Sequence, residues 1–109
     1  MKLTSVISEK VMETEIKISE VQIIPVKPQN GLVAFASFVL DDRLYLGSIG
    51  IFTRPEGGYR LVYPTKKVGV RNINLFHPIN KDFAQTIEKE VIGKFEDVMK
   101  NDRHDSFSA

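Results

Sequence analysis

The sequence predicts an α+β fold, an antiparallel β-meander of about four to five strands followed by a C-terminal amphipathic helix. Three observations lead there. Between residues 15 and 63, apolar and polar residues alternate over short segments, the period of half-buried strands. Clusters of Asn, Asp, Gly and Pro separate these segments, as tight turns between antiparallel neighbours require. After Ile79 the apolar spacing lengthens to three and four residues, the period of a helix.

The first strand signal follows Glu15. Ile16, Ile18, Val21, Ile23 and Val26 alternate with Lys17, Glu20 and Gln22, with a slip near Ser19-Glu20 that predicts a bulge. Pro25 and Pro28 lack amide donors and assign this run to an edge or a terminating strand. Gln29-Asn30-Gly31 is a hairpin turn, because Asn-Gly tolerates the positive φ such turns need. Leu32 to Leu40 is nearly all apolar and is expected to be the central strand, with both faces covered. Asp41-Asp42 turns the chain into a strand from Arg43 to Thr53, in which Gly47 and Gly50 signal a bulge or a close contact. Arg54 to Gly58 is a loop, and Tyr59 to Tyr63 returns with Tyr59, Leu61 and Tyr63 facing one way and Arg60 and Val62 the other.

For the helix, either Asn80 or Asp82 can cap, Asp82 through a box with Gln85. Phe83, Ile87, Val91, Phe95, Val98 and Met99 form the stripe that should lie against the sheet. The expected organisation is a flexible extension over 1–14, one domain over 15–100 and a disordered tail over 101–109.

Composition narrows the class. With 42% hydrophobic and 27% charged residues, the 109-residue chain is an ordinary globular domain. It has no cysteine, which excludes disulfides and thiolate metal sites. The first residues lack the apolar core of a signal peptide, and no run reaches the ~20 apolar residues of a membrane span. A cytoplasmic protein without a membrane partner is expected.

The net charge of +1 is unevenly distributed. Residues 1–42 carry a net −2, residues 43–81 a net +6 and residues 82–109 a net −3. Lys66, Lys67 and Arg71 fall within six residues, in a stretch from Tyr63 to Ile79 expected to be a loop. Lys and Arg on a loop approach phosphates without burying charge, so these three are the leading candidates for nucleic-acid contact. Arg54 and Arg60 would reinforce them if the preceding hairpin lies alongside. Tyr45, Tyr59 and Tyr63 could stack on bases, although strand aromatics more often fill a core.

Catalytic signals are weak. His77 and His104 are the only histidines, and His77, before Pro78, more often bonds backbone at a strand-to-helix junction. No ligand spacing suggests a metal, and Gly57-Gly58 lacks the Lys and Ser or Thr of a phosphate loop. No catalysis, cofactor or small-molecule substrate is expected.

Tyr63-Pro64-Thr65-Lys66-Lys67, then His77-Pro78-Ile79 and an amphipathic helix, resemble the stage V sporulation protein G (SpoVG) family of septation proteins. The likeness extends to Ile18-Ser19-Glu20-Val21 and Ala36-Ser37-Phe38-Val39-Leu40-Asp41, covering about residues 15–100. Lys66 and Lys67 match the family's Lys-Arg pair and Arg71 its following arginine. Thr65 stands for the usual serine, and the loop lacks the family's Pro-Asp-Gly-like turn. The resemblance implies a small α+β homodimer that binds DNA or RNA in bacterial gene regulation, sporulation and septation. The alternative reading is an interaction module whose basic loop meets an acidic protein partner.

Overall fold

The computed structural model describes residues 16–108, with side chains through residue 101. The extension expected over 1–14 lies outside the described residues. In chain order the elements are β1 (Ile18–Gln29), β2 (Leu32–Leu40), β3 (Leu44–Thr53), β4 (Tyr59–Val62), β5 (Thr65–Val68), β6 (Arg71–Asn74) and α1 (Lys81–Ser108). Strands β1 to β4 form an antiparallel sheet in sequence order, and β5 pairs with β6 in a second sheet. The fold is the α+β meander with a C-terminal helix that the sequence predicts.

Short turns set the meander. Asn30 and Gly31 adopt φ of 53° and 93°, which the Asn-Gly pair tolerates at a tight β1–β2 hairpin. Asp41 and Asp42 turn β2 into β3 with φ of 52° and 57°. Asp41 also ties down the start of β1. Its amide donates to the Lys17 carbonyl at 2.8 Å, and the Lys17 amide donates to its Oδ1 at 2.9 Å. The two aspartates thus form the turn expected of them.

The register shifts at four places, between Ser19 and Gln22 and between Pro25 and Gln29 on β1, and between Leu32 and Ala34 and between Ala36 and Phe38 on β2. Ser19 faces Val39 but Gln22 faces Ser37, which leaves one extra residue in β1 where the sequence predicts a slip. Across β2 and β3, Ala36 faces Ile49 and Phe38 faces Leu46, so Gly47 and Ser48 oppose a single residue. Gly50 is the close contact: a Cβ there would stand 2.9 Å from the Phe52 ring.

One face of the sheet is buried beneath the helix. Ala34, Ala36 and Phe38 of β2, Ile49 and Ile51 of β3, and Ile87, Val91 and Phe95 of α1 make the core. These helix positions are four apart, so one stripe points at the sheet, while Phe83 and Met99 extend it at either end. Phe95 meets Tyr59 edge to face, with ring centres 4.9 Å apart.

The opposite face of the sheet is only partly covered. Phe35 on β2 is 39% exposed and Ile24, its partner on β1, is 64% exposed. β2 is therefore central in hydrogen bonding, as expected, but it is not covered on both faces. A single helix can cover only one side of a four-stranded sheet.

Asn80 is the helix cap. Its Oδ1 accepts from the Phe83 amide at 2.8 Å, and its carbonyl accepts from Ala84 at 2.9 Å. Asp82 sits inside the first turn, so it serves the helix as a negative charge near the positive end of the dipole rather than as a cap. The helix runs on to Ser108, past Asn101 where the tail was expected to begin. Residues 101–108 contain neither Gly nor Pro, and a formed helix extends cheaply through such a run.

Two outcomes follow from this packing. Phe95→Ala should cost ~3–5 kcal/mol, seen as a fall in Tm of more than ~10 °C; an unchanged Tm would mean that α1 does not rest on the sheet. Tyr63 supplies a pH test. Burial, aided by the nearby Glu88 carboxylate, raises its pKa from 10.0 to about 12. The unfolded chain loses this proton near pH 10.0, whereas the folded chain holds it until about 12. The stabilisation is therefore complete below pH 10.0 and disappears as pH rises to about 12. Tyr63→Phe should flatten the fall in Tm across this window, and an identical fall in both proteins would contradict the assignment.

Candidate nucleic-acid interface

The stretch expected to be a loop is a two-stranded arm. Lys66-Lys67-Val68 and Arg71-Asn72-Ile73 lie on paired strands joined through Gly69 and Val70. Gly69 has φ of 65° at the first turn position, where a type II′ hairpin calls for positive φ. The arm grows from an anchored base. The Leu75 amide donates to the Pro64 carbonyl at 3.0 Å, and Tyr63 and Phe76 pack edge to face at 6.1 Å. Both aromatics also rest against the core cluster.

The register decides where the side chains go. Thr65 faces Asn74, Lys66 faces Ile73, Lys67 faces Asn72 and Val68 faces Arg71. Directly opposite residues share a side and neighbours alternate. One side therefore carries Lys66, Val68, Arg71 and Ile73, and the other carries Thr65, Lys67, Asn72 and Asn74. The adjacent lysines point in opposite directions. Every residue of the two strands is exposed.

No Asp or Glu occurs between Pro64 and Asn80. Among the described residues, the ion pairs are Lys17–Asp42 at 3.1 Å and Arg54–Glu56 at 3.5 Å, neither involving the arm. The charge of Lys66, Lys67 and Arg71 is thus uncompensated by any described carboxylate and open to solvent. Such an arrangement attracts polyanions.

The other candidate residues sit elsewhere. Arg54 and Arg60 belong to the β3–β4 hairpin of the larger sheet. Arg54 is engaged locally, with Nε donating to the Tyr59 carbonyl at 3.2 Å besides its contact with Glu56. Arg60 lies over the Phe52 ring, 5.2 Å from its centre. Of the tyrosines, Tyr59 and Tyr63 pack on Phe95 and Phe76, and Tyr45 is 68% exposed. His77 donates from Nδ1 to the Pro78 carbonyl at 3.2 Å, the backbone role expected at the approach to the helix.

Among the described residues, no group of three or more His, Asp and Glu could hold a metal ion. No described helix is long and apolar enough to cross a membrane. An apolar cavity of about 190 Å³ lies behind the arm's base, lined by Phe38, Leu46, Tyr63, Phe76, Phe83 and Ile87 among others. The Tyr63 hydroxyl is buried without a hydrogen-bond partner among the described residues.

Sequence reasoning picked out the cations but not the paired strands that carry them. The signal that could have found the strands is Gly69-Val70 as a two-residue turn, because that turn fixes the register.

The sequence model of the SpoVG family matches residues 16–97. Three curated relatives share the name "Putative septation protein SpoVG". The relative from Phytoplasma australiense is 28% identical over 86 residues, covering 78% of this chain and 88% of its own. The one from Treponema denticola is 30% identical over 81 residues, covering 73% of this chain and 86% of its own. That from Finegoldia magna is 34% identical over 80 residues, covering 72% of this chain and 73% of its own. The family match takes in all four strands of the larger sheet, the basic arm and most of the helix, and the chain belongs to the SpoVG family.

Proposed function

We propose that this chain is a non-catalytic nucleic-acid-binding regulator that acts in bacterial gene regulation, sporulation and septation. The names of its relatives support the cellular role. One observation carries the biochemical reading: Lys66, Lys67 and Arg71 stand exposed on an arm without carboxylates. A phosphate backbone rewards that arrangement by releasing its condensed counterions, and most sequence-independent affinity comes from this term. The exposed face of α1 is a poorer surface, because Lys89, Lys94 and Lys100 are interspersed with Glu88, Glu90, Glu96 and Asp97.

The protein works as a cytoplasmic homodimer. The sheet face left open among the described residues supports the dimer, since Ile24, Phe35 and Tyr45 leave apolar surface that a second copy would bury. Two copies present two arms to one DNA duplex or one folded RNA.

The Lys66→Ala, Lys67→Ala, Arg71→Ala triple variant should lose binding to both DNA and RNA. Light scattering should still give about twice the 12.4 kDa chain mass for it. Single substitutions should each flatten the log–log salt slope on duplex DNA by about 1. Replacing Lys89, Lys94 and Lys100 together should have much less effect. Loss of binding in the helix variant with binding retained in the arm variant would put the site on α1.

A further inference from the structure

The arm is a ribbon with two unlike sides. Thr65, Lys67, Asn72 and Asn74 make one side wholly polar. The other side alternates the cations Lys66 and Arg71 with Val68 and Ile73, which are 51% and 46% exposed. Val70 carries the apolar set to the tip, where it is 95% exposed, and Leu75 follows at the base with 56% exposed.

Strand propensity explains only part of this pattern. Val and Ile stabilise a hairpin by pairing across its strands. Val70 has no such partner, because it stands second in the turn, where Asn, Asp or Ser usually follows glycine. Leu75 lies one residue beyond β6. A phosphate backbone rewards the cations but offers these apolar groups no contact.

We propose that the Lys66–Val68–Arg71–Ile73 side of the arm, with Val70 at its tip, docks on the surface of an anionic phospholipid bilayer. This goes beyond the nucleic-acid reading and does not rest on it. Charge complementarity selects the occupant. The surface of such a bilayer sets lipid phosphates directly above an apolar boundary, so it rewards both kinds of side chain that alternate here. The long stems of Lys66 and Arg71 let their charged ends stay among the phosphates while Val68 and Ile73 sink below them. No Asp or Glu between Pro64 and Asn80 opposes the approach. Thr65, Lys67, Asn72 and Asn74 then face water.

The backbone limits the depth. The arm has two strands, so among the described residues its outer amides and carbonyls lack ladder partners. Such groups do not enter hydrocarbon unsatisfied, and the ribbon therefore lies in the headgroup layer. The expectation of no membrane partner rests on the lack of a long apolar run, which excludes a span. A ribbon lying flat in the interface needs no such run.

The test is sedimentation of the full chain with phosphatidylcholine vesicles, with and without phosphatidylserine. The chain should pellet with the mixed vesicles and stay in solution with phosphatidylcholine alone. The Val68→Thr/Val70→Thr/Ile73→Thr variant keeps β-branched side chains and should bind mixed vesicles ~10-fold more weakly, or worse. Lys66→Ala and Arg71→Ala should each weaken binding about fivefold, and Lys67→Ala, on the opposite side, less. The sequence has no Trp, so a single introduced tryptophan reports its surroundings without interference. With mixed vesicles the emission of Val70→Trp should shift to the blue, and that of Asn72→Trp should not. This second measurement decides the question even if the threonine variant does not fold. Failure of the full chain to bind mixed vesicles overturns the proposal. Equal binding by the threonine variant also overturns it, since charge alone would then hold the chain. An equal shift at both tryptophans, or none at position 70, contradicts the orientation and the proposal with it. So does a change in the threonine variant's molar mass by light scattering, because the apolar side would then join copies of this chain.

Discussion

A four-stranded sheet has two faces, and the described residues supply one helix. Burying the Ile87–Val91–Phe95 stripe on Ala34, Ala36, Phe38, Ile49 and Ile51 is the contact on which the remainder depends. Apolar burial contributes ~25 cal/mol per Å², and these eight residues are the buried hydrophobic core of the described residues. Once the helix occupies that face, the opposite face keeps Ile24, Phe35 and Tyr45 in solvent. Between β4 and α1, Tyr63 and Phe76 reach the core, while every residue of the two strands between them is exposed. That stretch pairs with itself instead, and an arm results.

That arm concentrates charge because it is excluded from the core. Burying a lysine or arginine without a partner is costly, whereas an exposed hairpin holds three cations at little expense. Its base is firm: Tyr63 and Phe76 pack on the core cluster, and Pro64 and Leu75 share a hydrogen bond. A flexible loop would present the same cations in no fixed order. A paired ribbon gives each a direction, and the register sends Lys66 and Lys67 to opposite sides. The proposed function depends on that charge.

Much of this fold was legible in the residues. The Asn30-Gly31 turn, the bulge near Glu20, the edge position of the proline-bearing β1 and the helical stripe each follow from local steric or periodic rules. The arm was not legible in the same way. Period-two alternation stands out when one face is buried, and neither side of β5–β6 is buried. Lys66, Val68, Arg71 and Ile73 mix apolar and charged residues on one side, so the sequence shows a weak pattern that reads as a loop. The candidate site was therefore picked out by its charge and not by its shape. The second cover for β2 was overestimated for a related reason. Nine consecutive residues from Leu32 to Leu40 are apolar or small, but Phe35 stays partly open because the described helix lies on the other face of the sheet.

The central claim is that nucleic acid meets the arm and not the helix. Amide chemical-shift mapping of the full chain, titrated with a DNA duplex at moderate salt, tests it most directly. The account predicts that the perturbed amides cluster from Thr65 to Asn74, with little change around Lys89, Lys94 and Lys100. Perturbations centred on the exposed side of α1, with the arm unmoved, would contradict it.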